Sequence, residues 1–478
     1  MPVSSDQGLR WAASAFNADV QQRYATYYQY MRGDHPMAFA TQKFRSAFGS
    51  TLESFAYNRM PMIVDALADR MQITGFGSTP NDLAEEWIEI WDANNMDVRS
   101  GQIEREKFTT GDAYLIVEQE PRTGDVLLWP QPANLVRVHR ADDRPGHIDY
   151  ATKRWIDEDG FERLTLYYED RIEKYRSRQR VVSESGTTVF MADNPDKWVP
   201  YQPDDDLTWP IRLPVTDTVP VFHFPNNAGL SRDGLGISEL HDAIAIQDAL
   251  NKSVMDLLVA MEFAAFPQRV IVNVDDREEA TQEAIRKFQV GIDRLLTLYG
   301  TGEAPVSFGE FAAANIAQYT DVIELFDMLI SRVTGVPLHW LRMSGDFPSG
   351  EAQRMSEVRL VSKADDRIRE DTTTWAEAAR YALRLKNPSR QVPHGAIKVN
   401  WAPTAPLSEA EAIAMGREKL SIGWSQRAVM REMGREEDEI DKILAEKQEE
   451  LDAADERRRT LFNGGVYDAL AATAGGGE

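Results

Sequence analysis

Residues 334–386, TGVPLHWLRMSGDFPSGEAQRMSEVRLVSKADDRIREDTTTWAEAARYALRLK, decide the fold. Gly335 can take the left-handed conformation and Pro337 cannot continue a helix, so a helix stops here. Turn residues follow in Ser344, Gly345, Asp346, Phe347, Pro348, Ser349 and Gly350. Ser349 is placed to cap a new helix, with Glu351 at its positive end. An apolar stripe over Met355, Val358, Val361, Ile368, Trp375 and Ala382 carries that helix forward at three- and seven-residue steps. Nothing stops it before Asn387 and Pro388, although the β-branched run Thr372, Thr373 and Thr374 is a weak spot. Unbroken, it is about 55 Å long at the α-helical rise.

Upstream, residues 238–263 read as a helix whose apolar positions Leu240, Ile244, Leu250, Val254, Leu257, Leu258 and Met261 cover a wide face. Pro267 ends it. Residues 269–274 predict a strand, 277–290 a helix and 295–299 a second strand. Residues 312–333 then return as a helix, with Ile316, Tyr319, Ile323, Phe326, Ile330 and Val333 on one face. Two long helices flanking a small insert make a stalk. Downstream, residues 396–401 predict a strand. Ser408 and Glu411 form a capping box on a helix, a second helix starts near Ser425, and a third covers 436–455.

The first seventy residues read as helical, with Tyr24, Tyr27 and Tyr28 clustered for core or interface packing. Residues 58–76 give an amphipathic helix running into a strand. Helices ending near Asn95 and Thr109 precede Gly111, a strand over 113–117, a turn at Pro121 to Gly124 and a return strand over 126–129. A second pair, 151–156 and 161–168, is followed by strands over 171–176 and 187–191. The basic cluster Arg171, Lys174, Arg176, Arg178 and Arg180 alternates faces on a hairpin, which favours a solvated edge over a nucleic-acid patch. Seven prolines between Pro195 and Pro225 predict an extended surface connection that resists a central strand. Asp204, Asp205 and Asp206 read as a solvated loop rather than a Mg²⁺ site.

A helix ending in TGVP, a glycine-containing loop and SGEA opening a long charged helix resemble the middle of a tailed-bacteriophage portal protein, nearest to the portals of long-tailed phages. The LQDALNK-like phrase around residue 248 supports this. The resemblance implies an α+β portal fold with an α/β wing, a two-helix stem, a small β-α-β clip, a long wing-crossing helix and a helical crown. It divides the chain into N-terminal helices and wing (1–235), first stem helix (236–263), clip (264–311), second stem helix (312–334), tunnel loop (335–350), wing helix and strand (351–403), crown (404–455) and tail (456–478). It implies a DNA-facing tunnel loop of Arg342, Met343, Ser344, Gly345, Asp346, Phe347, Pro348, Ser349 and Gly350. A clip contacting terminase or adaptor is implied at Asp275, Asp276, Arg277, Glu278, Gly300, Thr301, Gly302 and Glu303. The expected assembly is a homo-oligomeric ring, a dodecamer, at one vertex of the virion. Its expected partners are the terminase large subunit, head-completion adaptors, major capsid and scaffolding proteins, and double-stranded DNA passing through. In the other reading, the loop is a buried connector and Phe347 packs against the helix.

The chain's net charge is −24, from 53 basic and 77 acidic residues. That argues against a tight grip on phosphates, though an acidic wall lets a duplex slide. Ordinary solubility charge explains the balance equally well. There is no cysteine, so no disulfide or thiol nucleophile. The start, MPVSSDQGLR, lacks a signal-peptide core, and assembly in a cytosol is expected. No GxxxxGK[ST], HExxH or GxSxG motif is present, and His241 and His339 read as packing residues. The glycine-rich run from Gly229 to Gly236 reads as a structural turn. No cofactor, metal site or catalytic residue is expected. The alternatives are a divalent-metal phosphodiesterase using Asp275, Asp276 and Asp346, or a capsid or adaptor subunit without a channel.

Overall fold

The computed structural model describes residues 4–36, 56–79, 82–144, 146–181, 195–202, 208–229, 234–265, 269–272, 307–310, 316–342, 349–405, 409–432 and 439–454, with 39, 42, 435, 456 and 457. They form two compact units: residues 1–21, 65–237 and 348–478 in one, 22–64 and 238–347 in the other.

The first unit is α+β. Helix α1 (Ser5–Ala15) opens it; α2 (Ala18–Arg32) belongs to the second unit from residue 22, and α3 (Met60–Ala68) enters the first unit at residue 65 before strand β1 (Ile73–Ser78). Helix α4 (Asp82–Ala93) buries Leu83, Ala84, Trp87, Ile90 and Trp91, one helical face. Asn95 then turns the chain in the left-handed region and α5 (Met96–Thr110) follows. Strand β2 (Asp112–Gln119) is buried on both faces along most of its length, as its unbroken apolar run requires. It lies between β3 (Val126–Pro132) and β10 (Val221–Pro225), both antiparallel, with α5 and the long helix α9 (Gly350–Lys386) packed against it. The second sheet runs β4 (Val136–Arg140), β5 (Ile148–Ile156), β6 (Phe161–Tyr168), β7 (Arg171–Arg180), β8 (Trp198–Pro200), with β9 (Ile211–Arg212) also on β7. Strand β13 (Ile397–Trp401) pairs with β1. The main core gathers where α4 meets α9: Trp91 lies 5.2 Å from Trp375 and 4.9 Å from Phe76, edge to face.

The outer edge of β3 is closed by a side chain. Buried Asn94 accepts from Leu128 N–H at 2.9 Å and donates to the Val126 carbonyl at 2.9 Å, and Pro130 and Pro132 supply no further donors. That edge therefore has fewer free donors for another strand.

The proline-rich connection corrects one expectation. Residues 221–224 form a buried strand, because Pro220 and Pro225 flank its apolar run and β10 is the outer strand of its sheet. The glycine-rich run proves structural where it is described. Gly236 crosses Gly111 so closely that a Cβ on Gly236 would lie 1.9 Å from the Gly111 oxygen. The basic cluster is largely engaged within the sheet. Arg171 binds Glu173 and Asp170 at 2.7 and 2.9 Å, Arg176 and Arg180 lie over Phe161, and Arg178 donates to the Asp196 carbonyl.

Helix α9 is continuous for 37 residues, with Ala352 N–H donating to the Ser349 hydroxyl at 3.4 Å. The threonine run does not break it; Thr372 Oγ1 donates to the Ile368 carbonyl and accepts Trp401 Nε1–H at 2.9 Å. Its stripe follows the expectation only in its C-terminal half. Trp375 and Ala382 are fully buried, whereas Met355 is 70% and Val358 54% exposed. The buried positions before Thr372 are Glu357, Leu360, Ala364, Arg367 and Asp371, because two of these charges have partners waiting. Glu357 meets Arg70 at 2.8 Å, and Asp371 binds the fully buried Lys107, whose Nζ is also 2.6 Å from Glu104.

After β13 come α10 (Glu409–Ser421), α11 (Gln426–Glu432) and helical residues 439–454. Ser408 and the predicted strand over 187–191 lie outside the described residues.

The second unit contains α6 (Ile244–Ala265), α7 (Ala317–Thr334), α8 (Leu338–Leu341) and the antiparallel pair β11 (Arg269–Val272) and β12 (Ser307–Glu310). Helix α6 starts six residues later than expected, after turns in which Ser238 accepts from Leu240 N–H at 3.0 Å. Strand β11 pairs with β12; the expected helix 277–290 and strand 295–299 lie outside the described residues.

Candidate functional site

Helices α6 and α7 pack together in the second unit, and their hydrogen-bonded surroundings define where the following loop begins. The helix stop at Gly335 forms as its sequence requires. Its φ is +86°, its N–H donates to the Ser331 carbonyl at 2.9 Å, and Ser331 Oγ donates to the Val336 carbonyl at 2.7 Å. Thr334 Oγ1 donates to the Ile330 carbonyl and accepts from Val336 N–H. The chain is thereby turned into α8 with the Ile330 and Ser331 carbonyls bonded.

Arg59 locks this turn. Its Nε and Nη2 each lie 3.0 Å from one oxygen of Asp327 on α7, and Nη2 donates to the Leu341 carbonyl at 2.8 Å. The guanidinium lies 4.1 Å from the centre of the Tyr57 ring. Both charges are buried, and burial pushes the Asp327 carboxyl up although Arg59 opposes this. Around α6, Tyr30 donates to Asp248 at 2.7 Å, Gln247 accepts from Arg59 N–H at 2.9 Å, and Asn251 accepts from Tyr57 N–H at 3.0 Å. Burial, followed by the bond to Asp248, raises the Tyr30 hydroxyl far above its ordinary range. Of the expected tyrosine cluster, Tyr24 and Tyr27 are buried and Tyr28 is half-buried, while Tyr30, outside that cluster, is buried as well.

Of the predicted loop residues, Arg342 ends α8 as its C-cap, with its guanidinium 3.9 Å from Glu324, a half-exposed and weak pair. Ser349 caps α9 and Gly350 is its first residue. Met343, Ser344, Gly345, Asp346, Phe347 and Pro348 lie outside the described residues, as do Asp275, Asp276, Arg277, Glu278, Gly300, Thr301, Gly302 and Glu303. The carboxylates named for a metal-dependent alternative are among these. Among the described residues, no group of three or more His, Asp or Glu side chains is placed to share an ion.

Helix α7 carries a feature the sequence reading only partly located. Ile330 is buried, but Val322, Leu325 and Val333, on one face, are 38%, 49% and 37% exposed. On α6, Leu258 and Met261 are likewise exposed. The Arg59 and Asp327 clamp was missed, because partners 268 positions apart leave no local pattern. His241, an exposed residue, pairs with Tyr27 Oη at 3.2 Å, and the half-buried His339 meets Trp340 edge-on. No helix among the described residues is long and apolar enough to cross a membrane.

Residues 54–453 match the family described as phage portal protein, SPP1 Gp6-like. The portal protein of Mycobacterium phage D29 is 26% identical over 396 residues, covering 81% of this chain and 76% of that one. The portal protein of Mycobacterium phage L5 is 25% identical over 361 residues, covering 74% and 70%. Among solved structures, a chain in the neck of an empty gene transfer agent particle, computed with C6 symmetry, aligns with a TM-score of 0.43 at 12% identity, covering 80% of this chain and 90% of that one. A chain in the neck of the native particle, computed with C12 symmetry, aligns with a TM-score of 0.40 at 13% identity, covering 77% and 86%.

Proposed function

The chain belongs to the SPP1 Gp6-like family of phage portal proteins, and from that premise we propose that its copies form a ring, a dodecamer, at the head–tail vertex of a virion. Double-stranded DNA is packaged and ejected through the ring's channel. The terminase large subunit, head-completion adaptors, major capsid and scaffolding proteins dock on its outside, with terminase and adaptors at the clip. The match over residues 54–453 carries this reading. The subunit is passive in it: the sequence has no phosphate loop to drive transport, and the net charge of −24 suits a wall along which DNA slides.

The exposed apolar stripe of α7 supports contact between neighbouring subunits, because isolated surface residues do not repeat along one helix face. Negative-stain images of the purified chain at moderate salt are expected to show rings with a central hole. Leu325→Asp, which puts a charge in that stripe, is expected to shift mass photometry from rings to monomers while leaving the circular dichroism unchanged. A wild type that stays monomeric over a broad concentration range overturns the ring.

The loop 342–350 is the DNA-facing element in this reading. Gly345 lets its backbone bend, Pro348 limits its shapes, Asp346 keeps phosphate at a distance and Phe347 gives bulk without charge. Replacing Asp346 and Phe347 together with Gly is expected to leave rings intact and to reduce packaged or retained DNA. Normal packaging by such rings removes the loop from the mechanism, and failure to form rings makes it a structural connector.

A further inference from the structure

A cleft of about 650 Å³ in the first unit lies between the outer edge of β4 and the corner where α1 passes into α2, lined by Trp11, Ser14 and Asn17 on one side and by residues 137–140 on the other. Four successive residues of one strand line it, so it runs along the strand's edge rather than over one face. The register fixes which backbone groups face it. Arg154 N–H donates to the Leu135 carbonyl and Ala141 N–H to the His147 carbonyl, so odd-numbered residues of β4 bond β5 and even-numbered residues point outward. The Val136 carbonyl accepts from Arg137 Nη1 at 2.7 Å. For Val138 and Arg140, no described residue bonds the outward N–H and carbonyl groups.

The cleft's charge is built in. Arg140 Nη2 donates to His223 Nδ1 at 2.9 Å, and His223 Nε2–H donates to Asp112 at 2.8 Å, so a buried pair holds the guanidinium in place. Gly234 lets it pass; a Cβ there would lie 2.3 Å from Arg140 Nε, a buried donor bonded by no described residue. Arg137, 4% exposed, is fixed by the carbonyls of Ala133 and Val136. Against these two cations the lining sets one acid, Asp142, in a chain whose net charge is −24. We propose that this cleft is a docking site for an extended acidic segment of a partner protein, which adds as a strand to β4 through Val138 and Arg140 and places a carboxylate on Arg140.

The test uses the full chain and a short fluorescent peptide alternating glutamate with valine, followed by anisotropy. Saturable binding is expected, weakening as salt rises, with a lysine–valine peptide failing to bind. Val138→Pro removes one outward donor without changing charge, and Ser14→Glu puts a carboxylate at the cleft mouth from an exposed helix position. Each is expected to weaken binding about tenfold, the scale of one lost charge-assisted bond. Ser14→Glu keeps the test decisive if the proline variant fails to fold. Absence of saturable binding, or binding indifferent to Ser14→Glu, overturns the proposal. So does full displacement by inorganic phosphate, which makes the cleft a small-anion site. A self-association that Ser14→Glu dissolves, without peptide binding, makes a second copy the occupant and also overturns it.

Discussion

Lys107→Met is expected to destabilise the first unit by about 3–5 kcal/mol, the cost of leaving buried charge unpaired. Lys107 is fully buried on α5, with its Nζ between Glu104 one turn back and Asp371 on α9. Two carboxylates and one ammonium share a space without solvent, so removing the ammonium leaves two like charges together. Burial alone lowers a lysine's proton affinity, but Asp371 and Glu104 outweigh it and raise that of Lys107. Burial, then repulsion from Glu104, raises the Asp371 carboxyl well above the usual carboxylate range. The ammonium therefore stays charged, and Asp371 holds its proton more tightly than a free carboxylate does. A carboxyl raised on folding favours the folded state below its unfolded value, and that contribution is lost as pH rises through the folded one. Asp371→Asn keeps an acceptor for Lys107 and removes this titration. Relative to wild type, the Asn variant is expected to gain thermal stability as pH rises from about 4, the ordinary carboxylate range. Lys107 titrates far above this window and adds no slope to it. Equal melting curves for Lys107→Met and wild type, or a difference between Asp371→Asn and wild type that does not change with pH, contradict the cluster described here.

This cluster also marks how far the sequence could be read. Elements held by local rules were legible: the Gly335 stop, the Ser349 cap, the helix ending near Asn95 and the hairpin from β2 to β3. Each depends on residues within a turn or two, so a short window contains its cause. The N-terminal half of α9 was not legible. Met355 and Val358 look like a core stripe, but the face that turns inward carries Glu357 and Asp371, whose partners Arg70 and Lys107 lie 287 and 264 positions away. A charged residue reads as exposed until its counter-ion is known, and no periodicity carries that information. The crossing of Gly236 over Gly111 and the pairing of β11 with β12 are long-range choices of the same kind. For the candidate site, the sequence marked where the loop begins and ends through Arg342, Ser349 and Gly350. It gave no sign of the clamp that fixes its start.

Removing that clamp is the second large effect. Arg59→Ala is expected to destabilise the second unit by about 3–5 kcal/mol, because Asp327 would stay buried without its bidentate partner. The same guanidinium donates to the Leu341 carbonyl, so the loss is not confined to α7. Helix α8 is a single turn, held internally by Trp340 N–H to the Pro337 carbonyl at 3.0 Å and Arg342 N–H to the Leu338 carbonyl at 3.2 Å. A helix this short has no stability of its own and relies on outside contacts. Arg59 is one such contact, made one residue before the loop starts. Hydrogen exchange at the Trp340 and Arg342 amides is therefore expected to accelerate in Arg59→Ala under conditions where α6 stays protected. Asp327→Asn separates the two roles: it keeps Arg59 on Leu341 while removing the buried anion. It is expected to cost less stability and to leave those two amides protected. Arg59→Lys, with one compact charge in place of a planar fork, satisfies Asp327 or Leu341 but not both in this geometry, and falls between them. If Arg59→Ala loses stability while both amides exchange as in wild type, the residue pairs a buried charge and does nothing for the loop. If they open before the rest of the unit, the loop's starting point is set by a side chain nearly three hundred positions earlier in the chain.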